Sequence, residues 1–342
     1  MSDADDALAV RRGAGLFAME TRGLLEITGG DRVRWLNGMV SNDVEALEPG
    51  PARSGCYATL LSRKGRIVTD LHVLLRPEAY WLELSRDVVS EITSTLEKFI
   101  VADDVELADR SADTDRLGLE GPAARAILAA AADAPAACPD LAPAACADLR
   151  IGGVDAVVAA FGWSGETAYQ ILAPTGGGDA VAACLEEAAE PGALRRTSEA
   201  VLEILRVEAG IPRLGAELSD DVLPDEARLE AAISTTKGCY TGQEIVARLR
   251  SRGQVNHLLV GLRFPDGSPA PVGSALEIGG RRSGEVTSSC MSPGAGAIGL
   301  GFVRRAHAEA GTELAAEGRV VRVTALPFAG PGARPGGAGP PA

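Results

Sequence analysis

The chain has 342 residues, 46% hydrophobic but only 4% aromatic, and 33 basic against 47 acidic residues give a formal net charge of −14 at pH 7. That length builds two or three domains with a sizeable core, and the acidic balance excludes a general electrostatic grip on nucleic acid, so no direct nucleic-acid binding is expected, a local patch at Arg248, Arg250 and Arg252 aside. The chain has no run of ~18 or more apolar residues and no signal-peptide pattern in Met1 to Ala9, and its six scattered cysteines form no Cys-x-x-Cys pair. These features point away from a membrane and from a zinc or self-contained iron–sulfur site, and toward a reduced, cytoplasmic protein.

Residues 1–14 read as a flexible arm. Leu24 to Ile27 reads as a strand, and Asp31 caps a short helix carrying Val33, Trp35 and Leu36. Two strands at 56–61 and 67–75 are joined by Ser62 to Arg66, and Tyr80 to Leu84 is another. Val88, Ile92, Leu96 and Phe99 give helical spacing over 87–100. A strand near 116–119 runs through Gly121-Pro122 into an alanine-rich helix at 122–132, and the Ala/Pro-rich stretch 133–147 reads as a loop. Val154 to Phe161 and Thr167 to Leu172 form a hairpin across Gly162-Trp163-Ser164-Gly165. Helices follow at 178–190 and 198–209, and Pro224 starts another with Asp225 and Glu226 in its first turn. From Val255 short apolar runs alternate with Gly/Pro turns at 256–264, 274–278, 284–290, 297–303 and 319–326, the pattern of a small all-β barrel. Residues 329–342 are almost entirely Gly, Pro and Ala and read as a disordered tail.

The stretch with the most direct chemical content is Lys237-Gly238-Cys239-Tyr240-Thr241-Gly242-Gln243-Glu244. Thr241 with Glu244 three residues on forms a capping-box pattern, which predicts a helix over 242–252 with Gly253 as its stop. Cys239 then lies just ahead of the positive end of the helix dipole, beside Lys237, in surroundings that favour thiolate. The residues equally admit an inert cysteine, because free cysteines are commonly small buried hydrophobes.

This octapeptide closely resembles the signature of the YgfZ family of folate-binding proteins, which assist iron–sulfur cluster synthesis or repair, with some members affecting tRNA modification. The wider superfamily includes the glycine cleavage T-protein, a tetrahydrofolate-dependent aminomethyltransferase. The resemblance covers most of residues 24–328 and rests on Gly30-Asp31 through Leu36, Ser41-Asn42-Asp43-Val44, Lys64-Gly65-Arg66-Ile67 with Asp70, Gly121-Pro122-Ala123, a loose match at Gly162 to Glu166, Leu205 to Pro212, and Leu223 to Leu229. T-proteins resemble this region without the full octapeptide, which puts the chain on the YgfZ side.

The resemblance implies an α+β protein with the aminomethyltransferase-like folate-binding fold. A folate-binding region of two intertwined subdomains would span 15–253, and a C-terminal β-barrel 254–328. Tetrahydrofolate or a one-carbon derivative is the implied cofactor, and iron–sulfur client or assembly proteins are the implied partners of a monomer. Cys239 is the key thiol, with Lys237 as its activator. Glu208 is the expected grip on the pterin, a carboxylate suiting the ring's paired donors; a helix-surface ion pair with Arg206 or Arg213 is the other reading. Tyr240, Gln243, Arg248, Asn42 and Asp70 are the further cofactor-binding candidates. Core packing explains Tyr240 equally, an i, i+4 pair with Glu244 explains Arg248, and turn or strand-end roles explain Asn42, Lys64 and Asp70. Trp35 and Trp163 are candidate pterin walls as well as ordinary core residues. Two other functions fit the same sequence: an active aminomethyltransferase, and a non-enzymatic folate sensor or scaffold.

Overall fold

The computed structural model describes residues 2–328; the tail expected at 329–342 lies outside them. In chain order the elements are α1 (Asp3–Arg12), β1 (Ala14–Ala18), β2 (Arg22–Thr28), α2 (Arg32–Met39), β3 (Gly55–Leu61), β4 (Ile67–Leu75), β5 (Tyr80–Ser85), α3 (Val89–Glu97), β6 (Glu106–Asp109) and β7 (Thr114–Glu120). There follow α4 (Ala124–Ala131), β8 (Cys146–Ile151), β9 (Val154–Ala159), β10 (Ala168–Pro174), α5 (Gly178–Ala188), β11 (Leu194–Thr197), α6 (Glu199–Ala209) and α7 (Gln243–Arg252). The last strands are β12 (His257–Arg263), β13 (Ala275–Ile278), β14 (Arg281–Ser292), β15 (Gly296–Arg304), β16 (Glu313–Ala316) and β17 (Arg319–Thr324).

These strands make three bodies. One sheet has the order β11-β1-β7-β10-β9-β8, a second β3-β4-β5-β2-β6, and a closed barrel β12-β15-β14-β13-β16-β17. The chain leaves the six-stranded sheet after β1, builds the whole five-stranded sheet from β2 to β6, and returns with β7, so the six-stranded sheet holds strands from both sides of that excursion. The α+β class and the C-terminal barrel are as the sequence led us to expect. The helix α6 lies between the sheets and the barrel. Its Arg206 is 2% exposed and donates to Glu217 (2.9 Å) and to Ser288 of β14 (2.7 Å), while Glu217 also accepts from Thr287 and Ser288. A buried, fully hydrogen-bonded cluster of this kind fixes the barrel against α6, because separating its members would strand charges away from water.

Four local readings are corrected. The expected N-terminal arm is the helix α1, started by a Ser2–Asp5 capping box and packed through Ala7 and Val10 onto α6 residues Val201, Leu202 and Leu205. The loop expected over 133–147 gives way at its end to β8, which pairs with β9 throughout. Pro224 begins turns rather than a helix: Arg228 takes a φ of 60°, a left-handed geometry that a helix cannot continue through. The helix at 243–252 is real, but the capping box is not. Gly242, at φ 83°, is the N-cap and no side chain caps the helix. Packing decides this: a Cβ at Gly242 would lie 2.6 Å from the Ser62 carbonyl, so the chain enters the helix through a position only glycine tolerates.

Candidate functional site

The octapeptide is clasped from two sides. On one side the Lys237 ammonium donates to the carbonyls of Asn37 (2.5 Å), Val40 (2.9 Å) and Asn42 (2.7 Å), and the Thr241 N–H donates to the Gly38 carbonyl. These are carbonyls left open at the end of α2, where a cation also suits the helix dipole. On the other side Gly242 meets Gly65 at the tip of the β3–β4 hairpin, with Ile245 against Gly65. Tyr240 points inward, among Leu61, Ile67, Leu229, Ile233 and Val246. Gly238 has open space where a side chain would be, and Cys239 is exposed.

This geometry reassigns most of the residues expected around Cys239. Lys237 is spent on main-chain carbonyls and is no free activator of the thiol; its burial lowers the ammonium to about 8, with Asp43 pulling the other way. Tyr240 is a core residue, its ring 5.3 Å from the lysine nitrogen. Asn42 spends its amide on the carbonyls of Tyr57 and Ala231 and its oxygen on the Asp43 N–H. Gln243 sits partly exposed on the first turn of α7 and Arg248 is exposed further along it, with no Glu244 pair among the described residues. Cys239 does not border the cavity described below.

Glu208 is buried, 2% exposed, and the surface ion pair that the sequence offered for it is not formed. It does not pair with Arg206 or Arg213. One carboxylate oxygen accepts from Arg11 of α1 at 2.7 and 3.0 Å, and the other accepts from Ser292 of β14. The same arginine holds Glu166 at 2.8 Å and the Ser164 carbonyl. Both Glu208 oxygens are therefore engaged by protein, and the carboxylate stitches α1, α6 and the barrel together. The Gly162–Gly165 hairpin is likewise explained by packing: the Trp163 and Ser164 N–H groups hold the fully buried Glu120 carboxylate, against which a side chain at Gly162 would clash.

A different group of residues lines a half-open space between the sheets and α6. A cavity of about 180 Å³ is lined by Met19, Thr21, Arg22, Ser85, Trp163, Glu199, Leu202, Glu203, Arg206, Arg213 and Leu214. Its floor is a buried charge network. Arg22 grips Glu83 with two hydrogen bonds (2.6 and 2.8 Å), stacks on the Trp163 ring at 4.8 Å, and has Arg116 on the far side of Glu83 at 3.8 Å. Burial works against ionising Glu83, but Arg22 and His72 outweigh it and hold the carboxyl down at about 2. Burial likewise pulls Arg116 down, to about 10. Behind this pair Tyr57 Oη donates to Asp70 at 3.0 Å, and the His72 ring stacks on Phe161 at 3.7 Å. Asp70 keeps a place beside this network through its charge on Arg22. Arg22, Glu83 and Glu203 were not singled out in the sequence; each is an unremarkable residue locally, Arg22 and Glu83 being marked only by their burial against each other and Glu203 only by its bidentate hold on Arg206.

Two sheets crossed by one chain, a bridging helix and a closed six-stranded barrel define the aminomethyltransferase architecture: the structure superposes on the glycine cleavage system aminomethyltransferase T of Bartonella henselae with a TM-score of 0.84 at 25% identity, covering 96% of this chain and 90% of that one. The GCVT N-terminal domain model matches residues 2–237 and the glycine cleavage T-protein C-terminal barrel domain model matches 258–331. The chain belongs to this glycine cleavage T-protein family. Aminomethyltransferases of Halalkalibacterium halodurans (28% identical, covering 94% of this chain and 88% of the relative) and Rubrobacter xylanophilus (31%, 94% and 84%) are among its relatives. The cofactor expected from the sequence, tetrahydrofolate, is the one this family uses. No helix among the described residues is long and apolar enough to cross a membrane.

Proposed function

We propose that the chain binds tetrahydrofolate in the inter-sheet cavity and acts in aminomethyl or related one-carbon transfer. The observation that supports this best is the composition of that cavity: an indole wall, three apolar side chains and convergent charges, the pattern of a small-molecule site. Its volume suits a ring head rather than a whole folate, whose tail would extend outside. Trp163, Met19, Leu202 and Leu214 would hold the pterin, and Glu199, with one oxygen on the Thr21 N–H, would meet its ring donors; Glu203, like Glu208, has both oxygens engaged by protein. Glu203 already accepts from Arg206 at 2.6 and 2.8 Å, which keeps it ionised and oriented. When bound, tetrahydrofolate supplies the nitrogen that accepts the one-carbon unit. Asp70, which accepts from Tyr57 behind the Arg22–Glu83 pair, would act on that site through its charge on Arg22. The test is turnover of aminomethylated H-protein with tetrahydrofolate to methylenetetrahydrofolate. Absence of product with the wild-type chain would sink transferase activity, and an unchanged folate affinity in Trp163→Ala would sink the cavity assignment.

A second reading is supported by the octapeptide: assistance to iron–sulfur cluster assembly or repair through Cys239, as in the YgfZ branch. Its support is that an eight-residue motif is folded so that Lys237, Tyr240 and Gly242 are consumed in building a loop while the thiol is left outside. Such a thiol serves a partner protein, as redox group or transient cluster ligand, better than it serves a ligand in a cavity that it does not border. Full rescue of cluster-enzyme activity by Cys239→Ser in a deletion strain would eliminate this reading and leave the folate sensor.

A further inference from the structure

The inter-sheet cavity is braced by a strand that does not line it. β7 lies between β1 and β10 in the six-stranded sheet, and strand alternation puts Arg116, Gly118 and Glu120 on one of its faces. Each of the three braces a residue of the cavity wall. The main-chain carbonyl of Arg116 accepts from the Met19 N–H (3.0 Å), and its guanidinium lies 3.8 Å from the carboxylate that grips Arg22. Gly118 leaves room for Met19, because a Cβ there would lie 3.1 Å from the methionine sulfur. Glu120 holds Trp163.

The Glu120 contact is the most elaborate of the three. The residue is 0% exposed, and its Oε2 accepts from the N–H groups of Trp163 (3.0 Å) and Ser164 (2.7 Å). These are two successive donors in the β9–β10 loop, outside any strand, and buried N–H groups need an acceptor. Burial raises the Glu120 carboxyl, and Ser164, the Trp163 N–H and Arg11 oppose the rise. Gly162 lets the carboxylate come this close: a Cβ there would fall 2.5 Å from Oε1. The Ser164 carbonyl is fixed as well, accepting from Arg11 at 2.8 Å. The main chain at 163–164 is therefore held at two N–H groups and one carbonyl. The indole leaves it from a fixed point, with its ring 4.8 Å from the Arg22 guanidinium.

We infer that Glu120 is the positioning residue of the cavity: without lining it, Glu120 sets the place of the Trp163 indole that forms its wall. The effect on ligand affinity rests on the folate reading of the cavity; the effect on Trp163 rests on the loop geometry alone.

The chain has three tryptophans, Trp35, Trp81 and Trp163, so fluorine NMR of the full chain labelled with fluorotryptophan reads the wall directly. The Trp163 line is identified by its absence in Trp163→Phe. Glu120→Leu fills similar space without an acceptor; the Trp163 line should shift or broaden while those of Trp35 and Trp81 stay in place. Gly162→Ala, which pushes a methyl group onto Oε1, should displace the same line. Glu120→Gln keeps an oxygen able to accept both N–H groups and should restore it. Titration with tetrahydrofolate should give a Kd raised about tenfold in Glu120→Leu, the worth of one orphaned donor, and within about twofold of wild type in Glu120→Gln. The inference is overturned if the Trp163 line keeps its wild-type place in Glu120→Leu and Gly162→Ala, or if Glu120→Gln displaces it as far as Glu120→Leu does. It is equally overturned if all three lines move together, or if affinity survives where the Trp163 line has moved. A wild-type chain that binds no tetrahydrofolate removes the cavity assignment alone, since the fluorine spectra are taken without ligand.

Discussion

The octapeptide loop and the inter-sheet cavity are built on opposite plans. The loop is contiguous in sequence, and its polar groups turn inward to hold the main chain: three lysine protons go to three carbonyls, and the tyrosine ring packs in a core. The cavity is discontinuous, assembled from the β1–β2 turn, Ser85, Trp163, α6 and the turn at 213–214, and its polar groups converge on a half-open space. The difference shows that a conspicuous motif can be mostly architecture with one reactive atom left outside, while a ligand site can be composed of residues that are individually inconspicuous.

Mutations separate the two regions. The largest effect is expected at Arg22→Ala, which leaves Glu83 buried and ionised without its main partner; a loss of about 3–5 kcal/mol, read from urea denaturation, should come with loss of folate binding. If folate affinity persisted in a folded Arg22→Ala protein, the cavity would lose its claim to be the ligand site. The same pair gives a pH signature. The folded carboxyl of Glu83 lies near 2 against an ordinary 4.5, so its stabilisation is fully present above about 4.5 and is lost as pH falls toward 2. Denaturation curves at pH 7, 4 and 3 should show this loss, of order 3 kcal/mol at most, and Glu83→Gln should flatten the profile in that window while lowering stability at pH 7.

On the loop side, Lys237→Met should lose about 2–3 kcal/mol, because it orphans three carbonyls at the end of α2. Folate affinity should stay within about twofold; a large fall would mean that the loop and cavity are one site after all. The smallest effect is expected at Cys239→Ser: an exposed, unbonded thiol should change stability by less than about 0.5 kcal/mol and leave folate affinity unchanged. A melting shift of several degrees would place the thiol in the packing rather than outside it.

How far the sequence could be read follows from the same contrast. Helix α3 was legible because Val88, Ile92, Leu96 and Phe99 recur at helical spacing; Ile92 and Leu96 are buried as that spacing demands, with Val89 rather than Val88 completing the buried face. The barrel was legible from its alternating short runs, though β16, Glu-Leu-Ala-Ala, is too short and weakly apolar to signal itself. Helix α1 was missed because its polar, acidic sequence hides a stripe of only Ala7 and Val10.

Sequence alone determined the class of fold, the barrel, the wider T-protein superfamily and the cysteine's place just before a helix, since each depends on local periodicity or a contiguous motif. Tertiary structure alone decided which charges are buried together: that Arg11 occupies Glu208, that α2 occupies Lys237, that glycine packing rather than Thr241 starts α7, and that Arg22, Glu83 and Trp163 meet beside a cavity. The physical reason is that burying a charge requires a partner, and the partner here is supplied by segments up to 200 residues away in the chain.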